Sequence, residues 1–293
     1  MNASFRKKSL RFAFLAATAF FFFASARSAN AQMPGQPGQS GAGIPNQTAI
    51  GSTGGTMTDQ LQYGTMGHQI ERDQDAAYNA FFKEQDAAKK IKLGNSFLQK
   101  YPKSPLAERV DFGLMNAYRA QQDWKDSYRF ADSALALNPD DVDVLATVGW
   151  TIPHVYNPKD PDAGQQLDKA ETYAKHAIEV LDKLHKPPDL TEEQFVAAKA
   201  KRSLQAHSAL GLVYFRRNDY QDSERELAQT TKDNPSPDQT DLFVLGADLH
   251  NLNRLSEAAD AFSRCAQLAG PLQAACKQNA DASRAQAGQS NAP

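Results

Sequence analysis

From about Glu71 onward, apolar residues recur at three- and four-residue intervals, and proline stands only between the blocks so defined. That spacing predicts amphipathic helices, and no alternating Val/Ile/Thr run predicts a strand. The same motif then returns. It reads Asp111-x-x-Leu114-Met115-x-x-Tyr118, then His207-x-x-Leu210-Gly211-x-x-Tyr214, then Leu242-x-x-Leu245-Gly246-x-x-Leu249. Nine residues after the end of each comes a partner motif: Ser127-x-x-x-Ala131, Ser223-x-x-x-Leu227 and Ala258-x-x-x-Phe262. Pro139 and Pro235 close the first two, and Leu210 to Leu245 spans 35 residues.

Each motif pair predicts two antiparallel helices. The Gly of the first and the Ala or Ser of the second are small because the helices cross closest there. The Leu or Phe four positions on fills the next layer, and proline ends the second helix. Two weaker repeats extend the series. Leu145-x-x-Val148-Gly149-x-x-Ile152 opens one, its second helix displaced to Ala170-x-x-x-Ala174 by about nine extra residues with Pro153, Pro158 and Pro161. The other runs from Gln74 to Pro102, with Phe81, Ile91, Phe97 and Leu98 on its apolar face. Thr191-Glu192-Glu193-Gln194 reads as a capping box that starts a long helix over roughly Glu192–Arg217, and Leu272–Gln286 as a terminal capping helix. A single pair cannot cover its own apolar face, so about five pairs stack.

A period near 34 with this spacing resembles the tetratricopeptide-repeat family over about 215 residues. The resemblance implies an all-α fold, a right-handed superhelical array of antiparallel helix pairs. The stretch Phe97-Leu98-Gln99-Lys100-Tyr101-Pro102-Lys103-Ser104-Pro105 also looks like repeats of bacterial envelope-assembly tetratricopeptide lipoproteins, whose lipid-modified cysteine after the signal peptide is missing here. The family implies a non-catalytic scaffold that takes a peptide or helix in a concave groove. Carried over by position, that groove comprises Phe112, Asn116 and Arg119, then Trp150 and His154, then Phe215 and Arg216, and finally Phe243 and His250. Aromatic rings beside Arg and Asn suit peptide recognition. The competing reading makes the four rings packing residues between neighbouring helices. Asn116 with Arg119 is similar to the family's carboxylate clamp, but Phe112 stands where its lysine belongs.

The N-terminus changes the setting. Arg6, Lys7, Lys8 and Arg11 precede an apolar run from Phe12 to Ala26, and Ala29-Asn30-Ala31 fits a small-x-small cleavage site. Residues 1–31 therefore read as a secretory signal peptide, and the chain as exported, periplasmic or secreted. The other reading is an uncleaved anchor, for which the run is short. Residues 32–70 read as a disordered Gly/Gln/Pro/Ser-rich linker, with nine of the chain's 17 glycines. Residues 288–293 read as a flexible tail. The chain carries 32 basic and 34 acidic residues; removing the five basic residues of the signal changes the net charge from −2 to −7. An acidic mature chain argues against nucleic acid as partner. A protein or peptide of the cell envelope fits, no integral span is expected after cleavage, and the oligomeric state stays open.

Candidate chemistry adds little. None of the six histidines, His68, His154, His176, His185, His207 and His250, forms the i,i+4 pair around Glu of a zinc hydrolase, and no glycine precedes lysine as in a P-loop. Gly38-Gln39-Ser40-Gly41 lacks the setting of a nucleophile. Asp160-Pro161-Asp162 and Asp140-Asp141-x-Asp143 read as turns and helix caps rather than a calcium loop. No cofactor, metal or catalytic residue is expected. Two rival readings are a self-associating envelope-assembly component and a hydrolase built on the 153–168 insertion from His154, Tyr156, Asp160 and Asp162. Cys265 and Cys276 flank Gly270-Pro271 symmetrically. They read as a disulfide across a hairpin or as two buried thiols.

Overall fold

The computed structural model describes residues 71–188 and 190–290. The expected signal peptide, its cleavage site, the 32–70 linker and residues 291–293 lie outside them. Among the described residues there are eleven α-helices and no strand. They are α1 (71–83), α2 (Ala87–Lys100), α3 (Ala107–Ala120), α4 (Trp124–Leu137), α5 (Val142–His154), α6 (Ala163–Lys183), α7 (Glu192–Arg216), α8 (Tyr220–Thr231), α9 (Gln239–Asn251), α10 (Leu255–Gln267) and α11 (Gln273–Ser290). None is long and apolar enough to cross a membrane.

Packing follows chain order. α3 lies on α4, α5 on α6, α7 on α8 and α9 on α10, and each pair leans on the next, with α11 closing the row against α10. This is a solenoid-like array. Its first helices approach one another directly, α5 against α7 and α7 against α9, with no comparable packing between α6 and α8 or between α8 and α10. α5 on α7 is the extensive contact of this kind, α7 on α9 is slighter, and α3 has no comparable packing on α5.

The crossings explain the small residues. A Cβ added at Gly211 would lie 2.5 Å from Cγ of Leu227, and one at Gly246 2.7 Å from the ring of Phe262. At Gly149 it would meet backbone, Ala174 N at 3.3 Å and Ala170 O at 3.4 Å. Ser127 Oγ donates to the Met115 carbonyl at 3.0 Å, and Ser223 Oγ lies 2.8 Å from the Gly211 carbonyl. The α3–α4 crossing reverses the sizes. Met115 stands where the later pairs have glycine, and Ala131 where they have Leu or Phe; both are fully buried. At these three crossings a small residue on one helix admits a larger one on the other, whereas at Gly149 both sides are small and the backbones themselves meet.

The turn inside a pair also repeats. Gln122, Asn218 and Asn253 adopt positive φ of 60°, 63° and 60°. The following amides reach back identically, Asp123 N to Tyr118 O at 3.0 Å, Asp219 N to Tyr214 O at 2.9 Å and Arg254 N to Leu249 O at 2.8 Å. This is the Schellman closure, in which a left-handed residue returns the chain and satisfies orphan carbonyls. Asp123 and Asp219 then cap the second helices, accepting from Asp126 N and Asp222 N. The Thr191–Gln194 capping box is present at the start of α7. Asp141 of the acidic cluster caps α5.

Two expectations need correction. Proline does not stand only between helices: Pro153 lies inside α5. It removes only the bond that residue 153 would give the Gly149 carbonyl, and the ladder resumes with Val155 N to Thr151 O at 3.1 Å. Residues 288–290, expected in the flexible tail, belong to α11, whose Ala/Gln-rich end propagates helix well.

In the least regular repeat, Phe81 and Phe97 are buried against Leu114, and Lys90 Nζ donates to the Glu84 carbonyl at 3.0 Å, closing the end of α1. At the other end Cys265 of α10 and Cys276 of α11 are joined as a disulfide, Cα–Cα 5.7 Å. Gln239 binds the connecting turn on both sides: its Nε2 donates to Leu268 O at 2.9 Å and its Oε1 accepts from Leu272 N at 3.2 Å. Lys277, Gln278, Asp281 and Arg284 form the exposed side of α11.

Two outcomes are expected. Gly211→Ala should cost about 1–3 kcal/mol by overpacking, and Leu227→Ala about 2–5 kcal/mol by cavity formation. The double variant should cost less than their sum by about 0.5–3 kcal/mol in urea unfolding; strict additivity would contradict the crossing. Separately, thiol alkylation of the unreduced, unfolded chain should label neither cysteine. Reduction should expose both and remove about 3 kcal/mol of stabilisation at the C-terminal end.

Candidate functional site

The family-derived positions lie on the row of first helices α3, α5, α7 and α9. Phe112, Trp150, Phe215 and Phe243 are all half-buried. Each packs one side against the core. Phe243 meets Phe262 edge-on at 5.6 Å between ring centres, and Phe215 lies 6.1 Å from Tyr220. The packing and binding readings of these rings are therefore not exclusive.

On α3, Asn116 Nδ2 donates to the Phe112 carbonyl at 3.0 Å, and Arg119 Nη2 donates to Asn116 Oδ1 at 3.2 Å. Arg119 Nε is shielded and without a protein partner. Desolvation lowers the Arg119 pKa from its usual value. On α9, His250 Nε2 lies 3.1 Å from Gln286 Oε1 of α11.

A denser cluster forms where α5 ends. The Trp150 and His154 rings stack at 3.8 Å, and His154 Nδ1 lies 2.7 Å from the Trp150 carbonyl. Since that oxygen only accepts, Nδ1 carries the proton. Nε2 is shielded from solvent with no hydrogen-bond partner. Desolvation, outweighing the bond to Trp150, lowers the His154 pKa. The Arg216 guanidinium sits 5.5 Å from the Tyr156 ring centre, with Nη2 3.5 Å from the Pro153 carbonyl.

Two residues outside the positions carried over from the family join this cluster. Asp238 and Asp241, at the start of α9, bring carboxylate oxygens within 4.8 Å of a His154 nitrogen and of each other. Asp238 is exposed and accepts from Thr240 N at 2.7 Å as the helix cap. Asp241 is buried and accepts from Ser208 Oγ of α7 at 2.7 Å. Burial pushes its carboxyl up to about 7. A signal existed: at the matching position the other first helices carry Val110, Val144 and Ala206, all buried.

Other buried acids join neighbouring helices. Ser133 Oγ donates to Asp111 Oδ2 at 2.6 Å. His207 Nδ1 lies 2.7 Å from Glu226 Oε2, which satisfies this histidine within its own pair. Ser223 Oγ is 2.8 Å from the Gly211 carbonyl and 2.6 Å from Asp248 Oδ2. One hydroxyl proton cannot serve both acceptors. Burial pushes the Asp248 carboxyl up to about 8. A protonated Asp248 donates to Ser223, which donates to Gly211, and the chain links α9, α8 and α7.

The insertion residues go elsewhere. Tyr156, Asp160 and Asp162 line a cleft of about 540 Å³ with Lys125, Arg129 and Lys169, between α4, the end of α5 and α6. His154 is not among its lining residues, so the four groups of the hydrolase reading do not converge. Asp160 Oδ1 accepts from Asn157 and Asp162 Oδ2 from Gln166, each at 2.7 Å.

No protein-family model matches the chain, and no curated protein matches it. Among solved structures, a tetratricopeptide repeat protein from Parabacteroides merdae is similar at 13% identity and a TM-score of 0.30, over 72% of this chain and 96% of that one.

The Asp248 linkage has a definite sign. Its folded pKa lies above the unfolded value, so folding takes up a proton and stability falls as pH rises between about 4 and about 8. Asp248→Asn keeps a donor for Ser223 and removes the titration. Thermal melts at pH 5 and pH 9 should show a smaller loss in this variant than in the wild type. Parallel losses would place the titration elsewhere.

Proposed function

We propose that the chain is an exported, non-catalytic scaffold whose row of first helices holds a peptide or helix of a cell-envelope protein. The observation that carries this reading is the repeated placement of one half-exposed aromatic ring on each of α3, α5, α7 and α9: Phe112, Trp150, Phe215 and Phe243. Rings fixed on one side by the core lose little entropy when their open edge is covered. Arg119 and Arg216 stand on two of the same helices and can pair with a partner's carboxylates or carbonyls.

The rest of the chain is consistent with this role. The basic, apolar and small-residue order of positions 1–31 supports export. The Gly- and Pro-containing leader would let the array reach a partner held at a distance. The net charge of −7 after signal removal favours protein over nucleic acid as the bound species.

Residues 32–293, immobilised and exposed to an envelope extract, should retain a defined protein identifiable by mass spectrometry. Trp150→Ala combined with Phe215→Ala should lose it while keeping the helical circular dichroism. Equal retention by the double variant would remove the first-helix row as the binding surface.

A further inference from the structure

We propose that His154, Asp238 and Asp241 form a site for a divalent transition ion such as zinc, tying the end of α5 to the start of α9. The three residues lie far apart in sequence, His154 and Asp238 by 84 positions. The fold brings one donor atom of each within 4.8 Å of the others. Ligand atoms about 2.0–2.2 Å from one tetrahedral ion lie about 3.3–3.6 Å apart. Side-chain adjustment of about an ångström closes the shell, and Asp238, exposed at the helix start, is the ligand best placed to make it.

The histidine provides the independent sign. Its Nδ1–H is committed to the Trp150 carbonyl at 2.7 Å, which leaves the Nε2 lone pair as the donor. That atom is shielded from solvent and bonds to nothing in the protein. A buried nitrogen lone pair without a partner is costly unless something occupies it. The carboxylates are oriented in the same manner. Asp238 is held by Thr240 N at 2.7 Å, and Asp241 by Ser208 Oγ at 2.7 Å. Ligands held by outer hydrogen bonds of this kind are the rule in metal centres.

The donor set selects the ion. An imidazole disfavours calcium and magnesium, which take oxygen shells. Two carboxylates without thiolate or thioether disfavour copper(I). One nitrogen and two oxygens suit zinc, cobalt(II) or manganese(II), with a further position open to water. The cationic group beside the cluster, Arg216, interacts unfavourably with a charged His154.

The bridge has a structural consequence. It joins the third and fifth helix pairs across α7, which already supplies Ser208 to Asp241. An ion there would fix the relative placement of α5, α7 and α9, the helices that carry Trp150, Phe215 and Phe243.

The test uses untagged residues 32–293 with Zn²⁺ in titration calorimetry and Co²⁺ in visible absorption. The wild type should bind one equivalent of Zn²⁺. His154→Gln and Asp238→Asn should each weaken it at least about tenfold, with His185→Gln unchanged. The Co²⁺ spectrum of the wild type should lose its ligand-field bands in His154→Gln. Asp238 is exposed, so its variant reports on ligation without disturbing the core, and circular dichroism checks both. Zn²⁺ affinity equal in the wild type, His154→Gln and Asp238→Asn would overturn the site, as would a Co²⁺ spectrum insensitive to His154. Neither result bears on protein capture by the aromatic row.

Discussion

The array depends on one constraint: the two helices of a pair cross closely, and the side chains at the crossing must leave room for each other. Glycine on α7 and α9 admits Leu227 and Phe262, whereas Met115 on α3 requires Ala131 opposite. Where this match holds, the remaining apolar stripes of a pair face outward to its neighbours, and stacking covers them. The three Schellman turns at Gln122, Asn218 and Asn253 set the same re-entry angle each time, so the crossings recur in register.

Superimposed on this apolar repetition is a set of polar contacts that does not repeat. Asp111, Asp241 and Asp248 each stand in the interior and reach a serine on another helix. Buried carboxyls of this sort cost free energy unless paired or neutralised. Asp248 finds a neutral arrangement through Ser223 and Gly211. Asp241 lies instead beside another carboxylate and the unsatisfied imidazole nitrogen of His154. A solenoid of similar pairs thereby acquires a site found once among the described residues.

The legible and illegible parts of the molecule divide along the same line. Helix pairs, their order, the capping box at Thr191 and the terminal helix follow from short-range spacing, because each reflects contacts within about one repeat. The half-buried state of Phe112, Trp150, Phe215 and Phe243 follows from position in the repeat, and so does the partnering of His207 within its pair. The His154 cluster does not. A search for histidines one helical turn apart cannot register ligands drawn from α5 and α9, and Asp238 reads from sequence as an ordinary helix cap. The buried Asp241 was the usable clue, an acid where the equivalent helices carry Val110, Val144 and Ala206. Pro153 was misplaced because proline marks helix ends only to within a turn.

The proposed working face is the set of first helices. Hydrogen–deuterium exchange of residues 32–293, alone and bound to a captured partner, locates that face. Added protection should fall on α3, α5, α7 and α9. Protection confined to α4, α6, α8 and α10 would contradict it.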